Sequence, residues 1–280
     1  MYQNLGLKHP EDHERRVRST LTRALKEAAV TATNNNNDTR TRTTANEDIS
    51  NMAPFRILEV GMGTDCRIAR RGLYAEGLQQ VIQGFDDDEN KNRPRRIVEL
   101  VGVDVQRPDD KTLEAARQVL RRDITTTSNS SSSDDDGIGD AMGNNMNFRF
   151  LQHSITETPL PFPDGFFDTV ICCLTLCSVD DPVVAVREMH RLIRPAGGTL
   201  GYVEHVAAQE SRYRFLERQQ LLLDPWQQRV ADNCHLHRYT EDTIRQQFSP
   251  SSVLLQQERF VVDSMWPVSM QACGVYQKQS

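Results

Sequence analysis

Five short apolar runs, separated by amphipathic or polar stretches, constrain this chain most. They read FRILEV at 55–60, IVELVGVDV at 97–105, FRFLQHS at 148–154, FDTVICCLTL at 167–176 and GTLGYVEHV at 198–206. Runs of this length, rich in β-branched residues and separated by helical patterns, read as buried parallel strands. The clearest helix spans 182–194. Asp181 suits its cap and Pro182 its first position, and Val183, Val186, Met189 and Ile193 form one apolar stripe. Pro195, Gly197 and Gly198 stop it. Further helices are expected at 66–81, at 109–122 from an Asp109 cap, and near 241–248 after Thr240. The last two apolar runs, SVLLQQERFVV and SMQACGVYQK, suit an antiparallel hairpin on the sheet edge. The expected fold is α/β: a doubly wound, Rossmann-like, mainly parallel sheet with a C-terminal antiparallel hairpin.

Not all 280 residues fit this pattern. The hydrophobic fraction is 38% and the mean hydropathy −0.58, low for a compact chain. Residues 32–51, 84–96 and 125–147 are nearly devoid of large apolar side chains. Such stretches bury too little surface to offset the entropy of ordering. The expected organisation is therefore a flexible N-terminal extension over 1–51 and one domain over 52–280. That domain carries disordered insertions near 84–96 and 125–147, which add little loop-closure cost. Within the extension, Val17, Leu21, Leu25 and Ala28 recur at helical spacing, so a short helix is expected there. Asp12, Glu14 and Glu27 oppose a transit peptide, which leaves a solvated extension as the reading.

Charge and cysteine content narrow the function classes. The net charge of −6 offers no cation excess for general nucleic-acid binding. No run approaches the roughly 18 apolar residues of a membrane span. Six cysteines are too sparse for a disulfide scaffold. Reduced thiols and the cytoplasm are the default expectation.

Glu59-Val-Gly61-Met-Gly63 sits where the first strand ends. Gly61 permits a sharp turn and Gly63 a close ligand approach, at the N-terminus of the following helix. A dinucleotide fingerprint needs a third glycine at 66, where Cys66 stands, so a nicotinamide enzyme ranks low. No phosphate-loop Gly-Lys-Ser/Thr element follows. Asp104 ends the second strand, where a carboxylate can accept both ribose hydroxyl protons. The combination suits a nucleoside without a pyrophosphate.

ILEVGMGTD resembles the first motif, E/D-x-G-x-G-x-G, of the class I methyltransferases that use S-adenosylmethionine. GVDV resembles their second motif. LPFPDGFFDTVICC resembles the segment entering their fourth strand, and REMHRLIRPAGGTL the helix and turn before their fifth. Asp65 replaces the third motif glycine. Its carboxylate would either crowd the methionine end of the cofactor or accept from its amino group. The long spacing from Glu59 to Asp104 is attributed to the 84–96 insertion. CCLTLCSVDDP, YVEHV and LLLDPWQQRVADNCHLHRYT further resemble the alkyl thiol branch, with Asn233 in place of a glycine.

The resemblance implies S-adenosylmethionine as cofactor and a small-molecule methyl acceptor, first an apolar thiol. Glu59, Gly61, Met62 and Gly63 would meet the methionine end and ribose, and Asp104 the ribose hydroxyls. Val105, Ser154 and Ile155 would meet the adenine, and Leu174 would lie under the cofactor. His205 is the candidate general base, or else a histidine that orders its loop through a backbone carbonyl. Cys177 and Ser178 are expected at the acceptor pocket. No metal site is expected: Cys172 and Cys173 point to opposite faces of a strand, and Cys234, His235 and His237 lack a recognisable fourth partner. A quinone precursor or lipid-like phenol is the alternative acceptor, and cofactor binding without catalysis the alternative function.

Overall fold

The computed structural model describes residues 10–40, 53–83, 97–125 and 145–279. Nearly all of the segments expected as insertions, 84–96 and 125–147, lie outside the described residues. Seven strands form one sheet: β1 (Phe55–Val60), β2 (Val98–Asp104), β3 (Met146–Gln152), β4 (Thr169–Cys173), β5 (Thr199–His205), β6 (Ser252–Val261) and β7 (Met270–Lys278). Their order is β3-β2-β1-β4-β5-β7-β6. The first five are parallel, and β7 runs antiparallel to both β5 and β6. The expected hairpin is therefore present, with its second strand inserted against β5. Chain order reverses between β1 and β4, which opens a crevice beyond the strand ends.

The helices are α1 (Glu11–Arg40), α2 (Arg67–Arg70), α3 (Ala75–Gln83), α4 (Asp110–Thr125), α5 (Pro182–Leu192), α6 (Arg214–Val230) and α7 (Thr240–Phe248). Asp181 caps α5 as expected, accepting from the Val183 and Val184 amides at 2.9 and 3.0 Å. Asp109 does the same for α4 through the Thr112 amide. The helix expected over 66–81 is instead two, because Gly72 takes a left-handed turn at φ 62°.

The N-terminal region departs most from expectation. Residues 11–40 form one long helix, and its face from Val17 to Ala32 is buried, so this stretch is not a solvated extension. Leu21, Ala24, Leu25 and Ala28 are at most 2% exposed. Small side chains allow the helix to lie close on β5: the Ala24 carbonyl accepts from the Thr199 hydroxyl at 3.0 Å. A Cβ placed on Gly201 would sit 3.1 Å from the Ala24 Cβ. With α3 and α4, α1 covers one face of the sheet, while α5 and α7 cover the other.

One buried polar contact makes this docking acid-sensitive. His13 Nδ1 donates to Gln271 Oε1 of β7 at 2.8 Å. Burial, aided by the charge of Arg67, lowers the His13 pKa to about 4. The folded state thus disfavours protonation, and the unfolded chain takes up the proton first. Stability from this site is complete above about pH 6.5 and is lost as pH falls toward 4, by about 3 kcal/mol. His13→Gln is expected to flatten that part of the stability–pH curve, measured by urea unfolding across the interval. An unchanged slope would contradict the assignment.

Candidate active site

The crevice at the switch point is a cavity of about 570 Å³. Its first wall is the turn after β1. Gly61 and Gly63 have φ of 72° and 73°, a region that side chains other than glycine adopt at a cost. A Cβ on Gly61 would fall 2.0 Å from the Thr175 hydroxyl oxygen, which itself donates to the Val60 carbonyl. Thr175 is held in turn by its amide, which donates to buried Glu204 at 3.0 Å. The tight turn therefore depends on the β4 loop as well as on its own glycines.

The end of β2 clasps this turn. Asp104 Oδ2 accepts the Gly63 amide at 2.8 Å, and Oδ1 accepts the Gln106 amide at 3.0 Å. Each oxygen retains a lone pair, so the carboxylate can still take two hydroxyl donors. Beside it, Val105 is 58% exposed yet lines the cavity, an apolar face suited to a flat ring. Ser154, Ile155 and Leu174 line the same space. Leu174 holds φ at 53°, which turns the chain out of β4 toward the cavity.

Two of the expected residues do not reach the wall. Glu59 is 1% exposed and accepts the Tyr74 hydroxyl at 2.7 Å. Burial raises its pKa to about 8, although Tyr74 and Arg67 act in the opposite sense. Met62 turns under the loop, where its sulfur fills the space a side chain at Gly102 would need. Asp65 does not line the cavity either. The departure from the glycine motif therefore places no carboxylate in this wall.

The opposite wall holds Cys177, Ser178 and His205. His205 is buried, and its Nε2 donates to the His235 carbonyl at 2.7 Å. Nδ1 is thereby left with the lone pair. Burial opposes protonation of this ring, but the adjacent Cys234 sulfur, the His235 carbonyl and Glu204 outweigh it. The pKa consequently stands above the ordinary histidine value.

Several wall residues carried no readable signal in the sequence. Arg67 of α2 supplies the one Lys or Arg side chain among the described residues lining the cavity. Gln227 of α6 is 3% exposed, and its Oε1 has no hydrogen-bond partner among the described residues. Cys234, from the loop after α6, closes the wall beside His205. Trp226 and Trp266 are each half-exposed and line nothing here. Arg212, Arg214 and Arg218 are exposed and form a solvated face.

Residues 97–200, from β2 to the start of β5, match the family model described as a methyltransferase domain. Thiol S-methyltransferase TMT1B of Homo sapiens is 36% identical over 113 residues, which is 40% of this chain and 43% of that protein. Its Mus musculus counterpart is 42% identical over 112 residues, covering 39% and 45%. The ubiquinone/menaquinone biosynthesis C-methyltransferase UbiE of Cupriavidus metallidurans is 29% identical over 101 residues, covering 36% and 41%. The chain thus spans less than half the length of these curated relatives. Among solved structures, the YcgJ protein of Bacillus subtilis aligns over 83% of this chain and 95% of its own. The TM-score is 0.45 at 15% identity. The glycine turn and Asp104 form one end of the cavity, and the Cys177–His205 wall the other.

Proposed function

We propose that this chain transfers a methyl group from S-adenosylmethionine to a small apolar thiol. The Asp104 carboxylate carries the reading: it closes the glycine turn and still offers two acceptor sites to a ribose. The residues present fit an adenosyl group. Gly61 and Gly63 leave the cradle free of side chains, and Val105 and Ile155 offer apolar contact for the base. Arg67 supplies positive charge for a carboxylate tail. When bound, the cofactor supplies a methyl carbon activated by a sulfonium.

The protein's own part is alignment and exclusion of water, worth up to roughly 7–11 kcal/mol when the partners are well placed. Met265, Pro267 and Val268, from the segment between β6 and β7, line the acceptor side and keep it apolar. A thiol reacts as thiolate, and an ordinary thiol ionises near a pKa of about 8.5. His205 Nδ1, which faces the Cys234 sulfur at 3.9 Å, is an imidazole lone pair on this wall that can take the proton. Relatives named thiol S-methyltransferases support the choice of acceptor.

The test is methyl transfer from labelled S-adenosylmethionine to paired thiol and phenol acceptors. Thiol methylation is expected to exceed phenol methylation, and the reverse preference would favour the lipid-like phenol as acceptor. His205→Ala is expected to lower kcat on the order of 100-fold. In the native protein, activity should fall as pH drops through a histidine pKa above the usual value, since the base must be neutral. A His205→Ala variant with the same rate and pH profile would remove this residue from the mechanism.

A further inference from the structure

Three separate stretches bring Cys177, His205 and Cys234 to one place. They come from the loop after β4, the end of β5 and the loop after α6. One ligand atom from each lies within 4.8 Å of the other two, and all three side chains are buried on the cavity wall. The tautomer is set: Nε2–H of His205 is given to the His235 carbonyl, which leaves the Nδ1 lone pair facing the Cys234 sulfur at 3.9 Å. Metal-ligating histidines are commonly fixed through such a backbone carbonyl.

The surrounding loops are braced in a way that a chance thiol pair does not need. Asp232 and Asn233 both adopt left-handed backbone, at φ 50° and 58°. Asn233 Nδ2 donates to the Ser178 carbonyl at 3.1 Å, and the His235 amide to the Cys177 carbonyl at 2.9 Å. Arg238 donates to the Leu176 and Val179 carbonyls at 2.8 and 2.7 Å. The two cysteine-bearing loops are thereby sewn together directly behind the cluster. Typical zinc–sulfur and zinc–nitrogen lengths imply ligand atoms roughly 3.5–3.8 Å apart in a tetrahedron. The observed spread closes to that with shifts of about 1 Å.

We propose that Cys177, His205 and Cys234 form a three-ligand site for a soft divalent metal of the zinc class, its fourth position open to the cavity. Two thiolates and one imidazole suit that metal class, and three protein ligands with one open position is the pattern of reactive rather than structural sites. On binding, Cys177 and Cys234 release their thiol protons to solvent as their sulfurs bond the metal. In the fourth position the acceptor's sulfur coordinates and its thiol proton likewise leaves to solvent. No electron is transferred. In the metal-bound form His205 Nδ1 is a ligand and coordination generates the thiolate; the general-base role assigned above belongs to the metal-free form. Only this fourth-position assignment rests on the thiol reading above.

The experiment uses the reduced full chain, stripped with a chelator and titrated with Zn²⁺ or Co²⁺. One equivalent of zinc is expected to stay bound through gel filtration, and cobalt to give a thiolate-to-metal charge-transfer band. Cys177→Ser and Cys234→Ser should each weaken binding by more than roughly 100-fold. Cys273→Ser, in β7 outside the cluster, should not. Adding thiophenol to the cobalt form should strengthen the charge-transfer band. Failure to bind a stoichiometric metal overturns the site, as does a cobalt spectrum unmoved in the serine variants. Should either variant fail to fold, His205→Asn must alter the cobalt visible bands. A cobalt spectrum that ignores thiophenol overturns the open-position assignment. Stoichiometric cysteine-bound metal without thiol methylation upholds the site while rejecting the acceptor proposed above.

Discussion

Asp104→Ala is expected to weaken S-adenosylmethionine binding on the order of 10²–10⁴-fold while the chain still folds. Two losses combine. The carboxylate accepts the Gly63 and Gln106 amides, so its removal frees the turn after β1 from the end of β2. It also deletes both acceptor sites offered to a ribose. Hydrogen bonds to a charged group contribute roughly 1.5–3 kcal/mol each, and two of them account for the range. Asp104→Asn keeps one good acceptor and should fall between the two proteins. Isothermal calorimetry with the methyl donor decides the matter. Equal affinity in native protein and alanine variant would remove the carboxylate from the site and the adenosyl reading with it.

The second large effect concerns α1. Leu25 is fully buried, and its Cδ1 lies where a side chain on Gly77 of α3 would have to go. Leu25→Ala is expected to cost about 2–5 kcal/mol, through lost burial and an unfilled cavity. That is a large share of the roughly 5–15 kcal/mol that keeps a domain folded. Deleting residues 1–34 should be more severe. It strips Val17, Leu21, Ala24 and Ala28 from the sheet and exposes the apolar face of β5 and β7 beneath them. Thermal melting of Leu25→Ala and soluble yield of the deletion are the readouts. A deletion that melts like the full chain would show that the helix is dispensable for the fold.

The misreading of this region has a physical cause. Its buried stripe is built largely from alanine, which adds little to a hydropathy pattern. Alanine earns its place only in three dimensions, by letting a helix approach β5 at Gly201. The arginines and acids on its outer face then dominate the composition. By contrast, the cap of α5 was legible because Asp181 and Pro182 act on their own neighbours. Gly72 broke a continuous helical pattern that periodicity alone could not divide.

The site divides in the same manner. Gly61, Gly63 and Asp104 could be read directly because each stands at a strand end, where the backbone demands or position implies a residue type. Glu59 and Met62 belong to the same motif, yet strand alternation and the Gly102 gap turn them away from the cavity. Gln227 and Cys234 lie far along the chain, in segments whose local pattern says nothing of what they face.

By itself, the sequence determined the strand succession, the doubly wound sheet and the glycine turn against an acidic strand end. Those features follow from local periodicity and from the backbone needs of single residues. Tertiary structure alone decided that an alanine-faced helix closes the sheet. It also decided that Cys177, His205 and Cys234 share one wall. Both depend on contacts between distant segments, and side chains that meet only after the chain has folded leave no periodic trace along it.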